Sequence, residues 1–167
     1  MPTSAPAAPL TSPAAGPVVR SAPGLCPVLT GVMAAETEGF AGLRARRLAG
    51  DSWLARATLP GAESCTIEGE NWPRARYECV GPPISREPAS AARAFDELAR
   101  ELAACLETPT WFPRDWQRGE RFEFAMGERL QAWTDRTTRP ASQVVLKVQQ
   151  DAASDAYRVK LDLAATP

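Results

Sequence analysis

The sequence CTIEGENWPRARYEC, residues 65–79, carries the pattern that decides the fold. Apolar and charged side chains alternate on both sides of a central turn, which is typical of a half-buried antiparallel hairpin. In that hairpin Cys65 lies opposite Cys79, and Ile67 lies opposite Tyr77. The Cα atoms of directly opposed residues are about 4.5–5.5 Å apart, a span that a disulfide can bridge. The stretch therefore predicts a hairpin with one apolar face and a cross-strand disulfide.

Apolar residues recur at helical spacing on both sides of this hairpin. A first helix is expected to begin near Gly24, because Pro27 suits an early helical position and apolar residues follow at helical spacing up to Phe40. A second helix is expected over residues 89–106, where one face is apolar and the other is charged. Its apolar face consists of Phe95, Leu98, Leu102, Cys105 and Leu106.

Strand-like alternation covers most of the remaining folded part. Residues 53–58 form an expected strand before the hairpin, and residues 122–126 (FEFAM) alternate apolar and charged side chains as another. Leu130 and Trp133 are assigned to a short helix or an irregular crossing. A closing hairpin is expected from two runs whose apolar residues share one face, namely Val144, Leu146, Val148, Tyr157, Val159, Leu161 and Leu163.

Together these elements predict an α+β fold. We expect an antiparallel sheet of about five to six strands with two helices packed on one face, in the order α-β-β-β-α-β-β-β. No internal repeat is evident, and residues 24–164 are expected to form a single domain. Residues 1–23 are rich in Pro, Ala, Ser and Thr. Such a segment cannot bury enough apolar area to offset its ordering entropy, so it is expected to be a disordered tether.

The four cysteines allow three disulfide pairings. Besides the hairpin pair, elimination leaves a bridge from Cys26 to Cys105 between the two helices. No CxxC pair is present, and because zinc ligands usually come in close pairs, no metal site is expected. Four reduced, buried cysteines are the alternative. Two disulfides would indicate an oxidising compartment.

Composition excludes several classes of chemistry. The chain has no His, which removes Ser-His-Asp and Cys-His nucleophile activation and histidine metal sites. Its net charge is −1, with 19 basic and 20 acidic residues, so nucleic acid is not an expected partner. The chain contains no run of eighteen apolar residues, so no membrane span is expected. No phosphate-binding glycine loop or nucleophile elbow occurs, so we expect neither a cofactor nor an enzyme.

Several short motifs carry a family resemblance. They are LPG at 59–61, CTI at 65–67, YEC at 77–79 and the helix end at 102–106. Across roughly residues 25–163 the chain resembles small exported, lipoprotein-like proteins of Gram-negative bacteria that have no assigned activity. The resemblance implies a periplasmic or outer-membrane-tethered location, with a lipid anchor placed before residue 1, and it supplies no catalytic residue.

Two surfaces are candidates for binding another protein. Trp72 is expected at the hairpin tip, where it either anchors a partner or folds back over the sheet edge. An aromatic loop past the second helix forms either a partner-facing patch or a lid on the core. Arginines beside its rings can contact a partner or stack on them. The loop residues concerned are Trp111, Phe112, Arg114, Trp116 and Arg118.

These observations predict a non-enzymatic envelope protein that binds another protein, as an inhibitor, an immunity-type factor or an assembly accessory. A second hypothesis is a cytoplasmic protein similar to type III secretion chaperones, which share part of the predicted element order. That hypothesis expects a dimer with free thiols. A third hypothesis, a carboxylate-dependent hydrolase, expects a cleft that holds a strongly perturbed acid.

Overall fold

A computed structural model describes residues 24–108 and 114–166. Within these ranges the chain forms two α-helices and one antiparallel sheet of eight strands. In chain order the elements are α1 (Leu25–Ala34), β1 (Arg44–Arg47), β2 (Ser52–Ala55), β3 (Ser64–Glu68), β4 (Arg76–Val80), α2 (Pro88–Leu106), β5 (Trp116–Glu123), β6 (Arg129–Asp135), β7 (Ser142–Gln150) and β8 (Tyr157–Ala165). Residues 1–23 lie outside the described ranges, so the predicted tether stays a prediction.

The sheet consists of two four-stranded meanders. Its strand order is β1-β2-β3-β4-β8-β7-β6-β5, and every neighbouring pair is antiparallel. Each meander follows one helix, so the order helix and four strands occurs twice. The two halves meet where β4 pairs with β8. Although the sequence shows no repeat, the topology is repeated.

Both predicted hairpins are confirmed, the first with its predicted register. In the β3–β4 hairpin Cys65 faces Cys79 and Ile67 faces Tyr77. The closing hairpin pairs β7 with β8 along nine residues, and its apolar residues occupy the same face. The opposed pairs are Val144 with Leu163, Leu146 with Leu161 and Val148 with Val159.

The two predicted helices are confirmed, with one correction. α1 begins at Leu25 and α2 extends to Leu106, as the apolar spacing indicates. The first helical pattern does not reach Phe40, because α1 ends at Ala34 and a short turn follows. Phe40 has a left-handed backbone (φ 58°), yet its side chain is fully buried. The sequence spacing therefore identified a core residue correctly but assigned it to the wrong element.

Both expected disulfides are present. Cys26 pairs with Cys105, joining α1 to α2 with a Cα–Cα distance of 5.3 Å. Cys65 pairs with Cys79 across the β3–β4 hairpin, with a Cα–Cα distance of 4.1 Å. All four cysteines of the chain are thereby paired. Two disulfides indicate an oxidising, extracytoplasmic location.

The predicted number and order of strands are wrong, because two strands were missed. β1 reads Arg-Ala-Arg-Arg and forms an edge of the sheet, so it lacks the apolar alternation that marks a half-buried strand. β6 contains Leu130 and Trp133, which were assigned to a helix or crossing. In β6 the buried positions alternate as Gln131, Trp133 and Asp135, and the two polar residues conceal the strand period.

A β-bulge in β5 changes the face on which its later residues lie. Arg118 is opposite Trp133, but Arg121 is opposite Gln131, so one extra residue of β5 lies between these pairs. One inserted residue exchanges the two faces of all residues that follow it. Phe122 therefore lies opposite Leu130 instead of continuing the core face of Trp116. The predicted strand at residues 122–126 overlaps β5 only at Phe122 and Glu123, because the strand ends there and a short 3-10 helix follows at Ala125–Gly127.

Among the described residues, no helix is both long and apolar enough to cross a membrane.

The core contains a tyrosine whose ionisation opposes folding. The Tyr77 side chain is fully buried, and its hydroxyl donates a hydrogen bond of 2.7 Å to the Ala57 carbonyl oxygen. Burial raises the pKa of Tyr77 above its ordinary value of 10.0. The folded protein therefore keeps a proton that the unfolded chain releases above pH 10, and the free energy of unfolding falls as the pH rises past 10.

Tyr77→Phe is expected to remove this pH dependence. At pH 8 the variant should be about 1 kcal/mol less stable than the wild type, because the hydrogen bond to Ala57 is lost. Between pH 9 and 11 that difference should shrink or reverse, since phenylalanine does not ionise. Urea unfolding of both proteins across this range measures the difference directly. A stability difference that stays constant up to pH 11 would contradict the expectation.

Candidate functional site

Trp72 lies in the turn between β3 and β4, as predicted, and its side chain is half-buried. The turn is held by Arg44, whose Nη2 donates to the carbonyl oxygens of Gly69 at 3.1 Å and Glu70 at 2.5 Å. The same nitrogen donates to Gly39 at 3.0 Å, so this turn is tied to the segment after α1. Whether Trp72 contacts a partner stays a prediction.

The predicted aromatic loop is only partly described. Trp111 and Phe112 lie outside the described residues. Trp116 opens β5 and is buried in the core, with 6% of its surface exposed, so its ring is not available as a surface anchor. Trp116 lies on β5, whereas the turn that contains Trp72 leads into β4. In the sheet, β8, β7 and β6 lie between β4 and β5. The structure therefore does not bring Trp72 and Trp116 together.

Arg114 belongs to a buried ionic network and not to an open patch. Its Nη1 donates to Glu36 at 3.2 Å, and its Nε lies 3.6 Å from an oxygen of Asp135. Both carboxylate side chains are fully buried, whereas the Arg114 side chain is 21% exposed. The Ser142 hydroxyl donates to Glu36 at 2.7 Å, and the Thr137 hydroxyl donates to Asp135 at 2.7 Å. The network joins the turn after α1 to the ends of β5, β6 and β7.

Burial raises the pKa of Glu36 above its ordinary value, although the hydrogen bonds from Ser142 and Arg114 act in the opposite direction. Glu36 is thus the kind of perturbed acid that the hydrolase hypothesis requires. Its side chain, however, is fully buried, so solvent does not reach the carboxyl group.

In the parts of the chain that the structure describes, no group of three or more Cys, Asp or Glu side chains is arranged to hold a metal ion.

Arg118 is exposed and forms a bidentate ion pair with Glu107. Its Nε and Nη2 donate to the two carboxylate oxygens of Glu107 at 2.7 and 2.8 Å. The Trp133 indole donates to the same carboxylate at 3.1 Å. Arg118 lowers the pKa of Glu107, because the guanidinium hydrogen-bonds to the charged carboxylate. Arg118 is therefore already paired with a neighbour just past the end of α2.

The strongest surface feature was not predicted as a binding site. Phe122, Phe124 and Met126 are 47%, 55% and 72% exposed, and we call these three residues the aromatic corner. The two phenyl rings stack with their centroids 6.4 Å apart. Single exposed apolar residues are common, whereas three within five positions form a patch that usually marks an interaction site.

The backbone of the aromatic corner is held in place by its neighbours. The Phe124 amide donates to the Glu128 carbonyl oxygen at 2.8 Å, and the Tyr157 hydroxyl donates to the Met126 carbonyl oxygen. Gly127 has a left-handed backbone, and a Cβ there would lie 2.8 Å from Pro88 at the start of α2. Only glycine allows this close approach. The corner is therefore a prearranged surface.

The charged residues next to the aromatic corner in sequence lie on the α2 side of the sheet, opposite Phe122, and neutralise one another. Arg121 pairs with Asp96, and Arg129 lies 3.4 Å from an oxygen of Glu123 and 3.9 Å from one of Asp96. Two arginines thus face two carboxylates. A partner of this surface would be attracted mainly by apolar contact and only weakly by net charge.

The β5 bulge explains why sequence reasoning missed the corner. Strict alternation assigns Phe122 and Phe124 to the core face, and only an extra residue in the strand moves them out. Gly119, which lies within the bulge, is the one available signal, since glycine inside a strand often marks such an irregularity.

Comparisons with protein-family models, curated protein sequences and solved structures each found no match to this chain. The resemblance to small exported proteins of Gram-negative bacteria therefore stays a prediction, and the function is inferred from the geometry of the chain itself.

Proposed function

We propose that this chain is a non-enzymatic, exported binding protein that contacts another protein through the aromatic corner. The observation that carries this proposal is the exposure of Phe122, Phe124 and Met126 on a turn whose backbone is fixed. Rigid aromatic side chains are frequent anchors of protein interfaces, because they bury a large area while losing little conformational entropy.

Covering the corner supplies part of the binding energy of a specific complex, and contacts around it supply the rest. A phenylalanine side chain buries about 150–250 Å² in total, and roughly half of each ring is still exposed here. At about 25 cal/mol per Å², covering both rings and Met126 contributes on the order of 5 kcal/mol before the cost of association. The corner therefore serves as the centre of an interface.

The disulfides support an extracytoplasmic place of action, and we propose the periplasm, either free or tethered to the outer membrane. An inhibitor, an immunity-type factor or an assembly accessory would each act by docking or occlusion. The cytoplasmic chaperone hypothesis expects free thiols, whereas all four cysteines are paired. This observation favours the exported binding protein over the chaperone.

Site-specific crosslinking tests the proposal. A photoreactive amino acid placed at Phe124 is expected to crosslink one partner protein in cells that produce the chain. The same probe at Leu48, an exposed apolar residue that follows β1, is the control and should give no such product. Phe122→Ser and Phe124→Ser should weaken binding to the purified partner at least tenfold, with little loss of stability because both rings are half-exposed.

Other outcomes of this experiment would contradict the proposal. Crosslinks to a second copy of the chain would make the corner a self-association surface. If Trp72→Ala abolished binding and Phe124→Ser had no effect, the contact would lie at the hairpin turn. A steep fall in affinity between 50 and 500 mM salt would indicate an electrostatic interface and not an apolar one.

A further inference from the structure

A separate apolar cavity lies between the two helices and the sheet. It has a volume of about 220 Å³ and opens to solvent on one side. Leu25 of α1 and Leu98 of α2 line one wall, and Cys79 and Leu161 of the sheet line the other. Pro60 and Pro82 belong to the two loops that frame the opening. The three residues of the aromatic corner do not line this cavity.

The cavity offers almost nothing to which water can hydrogen-bond. Every side chain that lines it is hydrocarbon or the disulfide-bonded Cys79. The backbone amides of the framing loops are used internally: Gly81 donates to Val159 at 2.8 Å, Ala62 to Leu59 at 3.0 Å and Ile84 to Tyr157 at 2.9 Å. A buried water needs two to four polar partners, so water is held poorly in such a space.

The walls are also fixed against collapse. α1 and α2 are joined by the Cys26–Cys105 disulfide, and Cys79, in the opposite wall, is bonded to Cys65. An unfilled apolar space lowers stability in proportion to its volume when its walls cannot relax. A poorly hydrated, preformed apolar cavity favours an apolar ligand, because the ligand gains dispersion contacts without displacing well-bound water.

We infer that this cavity binds a small hydrocarbon group, such as an alkyl chain whose polar end remains at the opening. The size of the group follows from the volume. A closed cavity of about 150 Å³ accepts benzene, and sites for drug-sized ligands span roughly 300–1,000 Å³. A cavity of 220 Å³ therefore suits an alkyl chain of about eight to ten carbons. This inference is independent of the partner surface at the aromatic corner.

Titration with 1-octanol, followed by methyl NMR of the complete chain, tests the inference. Saturable shifts are expected for Leu25, Leu98 and Ile84, which line the cavity. 1,8-Octanediol has the same length but a second hydroxyl group, and it should bind at least tenfold more weakly, because one polar end would be buried without a partner.

Filling the cavity provides the decisive variant. Ala94→Leu places three further carbon atoms in the wall formed by α2, and it should weaken 1-octanol binding at least tenfold. Ala104→Leu makes the same change on an exposed position of α2 and should leave binding unchanged. Ala62→Leu fills the space from the loop side, and it replaces Ala94→Leu if that variant does not fold.

Three results would overturn the inference. The first is the absence of saturable shifts in the wild type, and the second is equal binding of 1-octanol by both filled variants and the wild type. The third is a set of shifts centred on the Met126 methyl group of the aromatic corner instead of the cavity methyls.

Discussion

Arg114→Met is expected to lower the free energy of unfolding by about 3–5 kcal/mol at pH 7, because it leaves two buried carboxyl groups without their cation. Glu36 and Asp135 are both fully buried, and Arg114 is the cation that approaches both. Methionine keeps much of the arginine volume, so the loss reports charge and hydrogen bonding more than packing. Urea unfolding followed by tryptophan fluorescence measures it.

The same variant should recover stability in acid. Burial sets the pKa of Glu36 above its ordinary 4.5, so the folded protein binds a proton that the unfolded chain releases between these two values. Ionising Glu36 therefore disfavours the folded state as the pH rises from 4.5 through the raised pKa. Without Arg114 this penalty grows. The stability difference from the wild type should therefore be largest at neutral pH and become smaller as the pH falls.

Arg118→Met is the matched control, because Arg118 is also a paired arginine but its side chain is 51% exposed. Arg118→Met should lower the free energy of unfolding by no more than about 1 kcal/mol, because exposed ion pairs contribute little to stability. Equal losses for Arg114→Met and Arg118→Met, or an Arg114→Met loss that does not change with pH, would show that the buried network does not stabilise the fold.

Removing the Cys26–Cys105 disulfide by double replacement with alanine is expected to cost about 4 kcal/mol, more than removing Cys65–Cys79, at about 3 kcal/mol. The difference follows from loop length. Cys26 and Cys105 are 79 residues apart in sequence, whereas Cys65 and Cys79 are 14 apart. A longer closed loop removes more entropy from the unfolded chain.

Guanidinium unfolding of both double variants and the wild type gives this comparison. Each variant also loses buried sulfur contacts, and because the change is two Cys→Ala replacements in both cases, that contribution largely cancels. If removing Cys65–Cys79 cost more, local strand pairing and not loop closure would dominate the contribution of these bridges.

The parts of the fold that were predicted correctly are those where apolar side chains keep a regular period. The hairpin of residues 65–79, the part of the closing hairpin between positions 144 and 163, and α2 each keep a regular apolar period on the core face. In the first hairpin the register also follows from the pattern, and it gives the Cys65–Cys79 disulfide. Cys26–Cys105 followed by elimination once that pair was assigned.

The elements that were missed lack a regular apolar period, and the reason can be identified in each case. β6 buries the polar side chains of Gln131 and Asp135, and buried polar groups need hydrogen-bond partners. The Gln131 amide donates to the Gly119 carbonyl oxygen at 2.6 Å, and the Thr137 hydroxyl donates to the Asp135 carboxylate. Gly119 belongs to another strand, so local sequence does not reveal the partner of Gln131. The aromatic corner depends on a one-residue bulge and the network of Arg114 on contacts across 78 residues of sequence. Neither leaves a periodic signal.

The disulfide between the two helices also determines how the molecule responds to a cut in its chain. Cys26 belongs to the first half of the repeated topology and Cys105 to the second, so the segment between them is a covalent ring closed through sulfur. A protease that cleaves one peptide bond in the exposed link at residues 82–87 produces two fragments that stay connected. Under non-reducing conditions a nicked molecule therefore keeps its full mass, and it separates into two pieces only when the bridge is reduced.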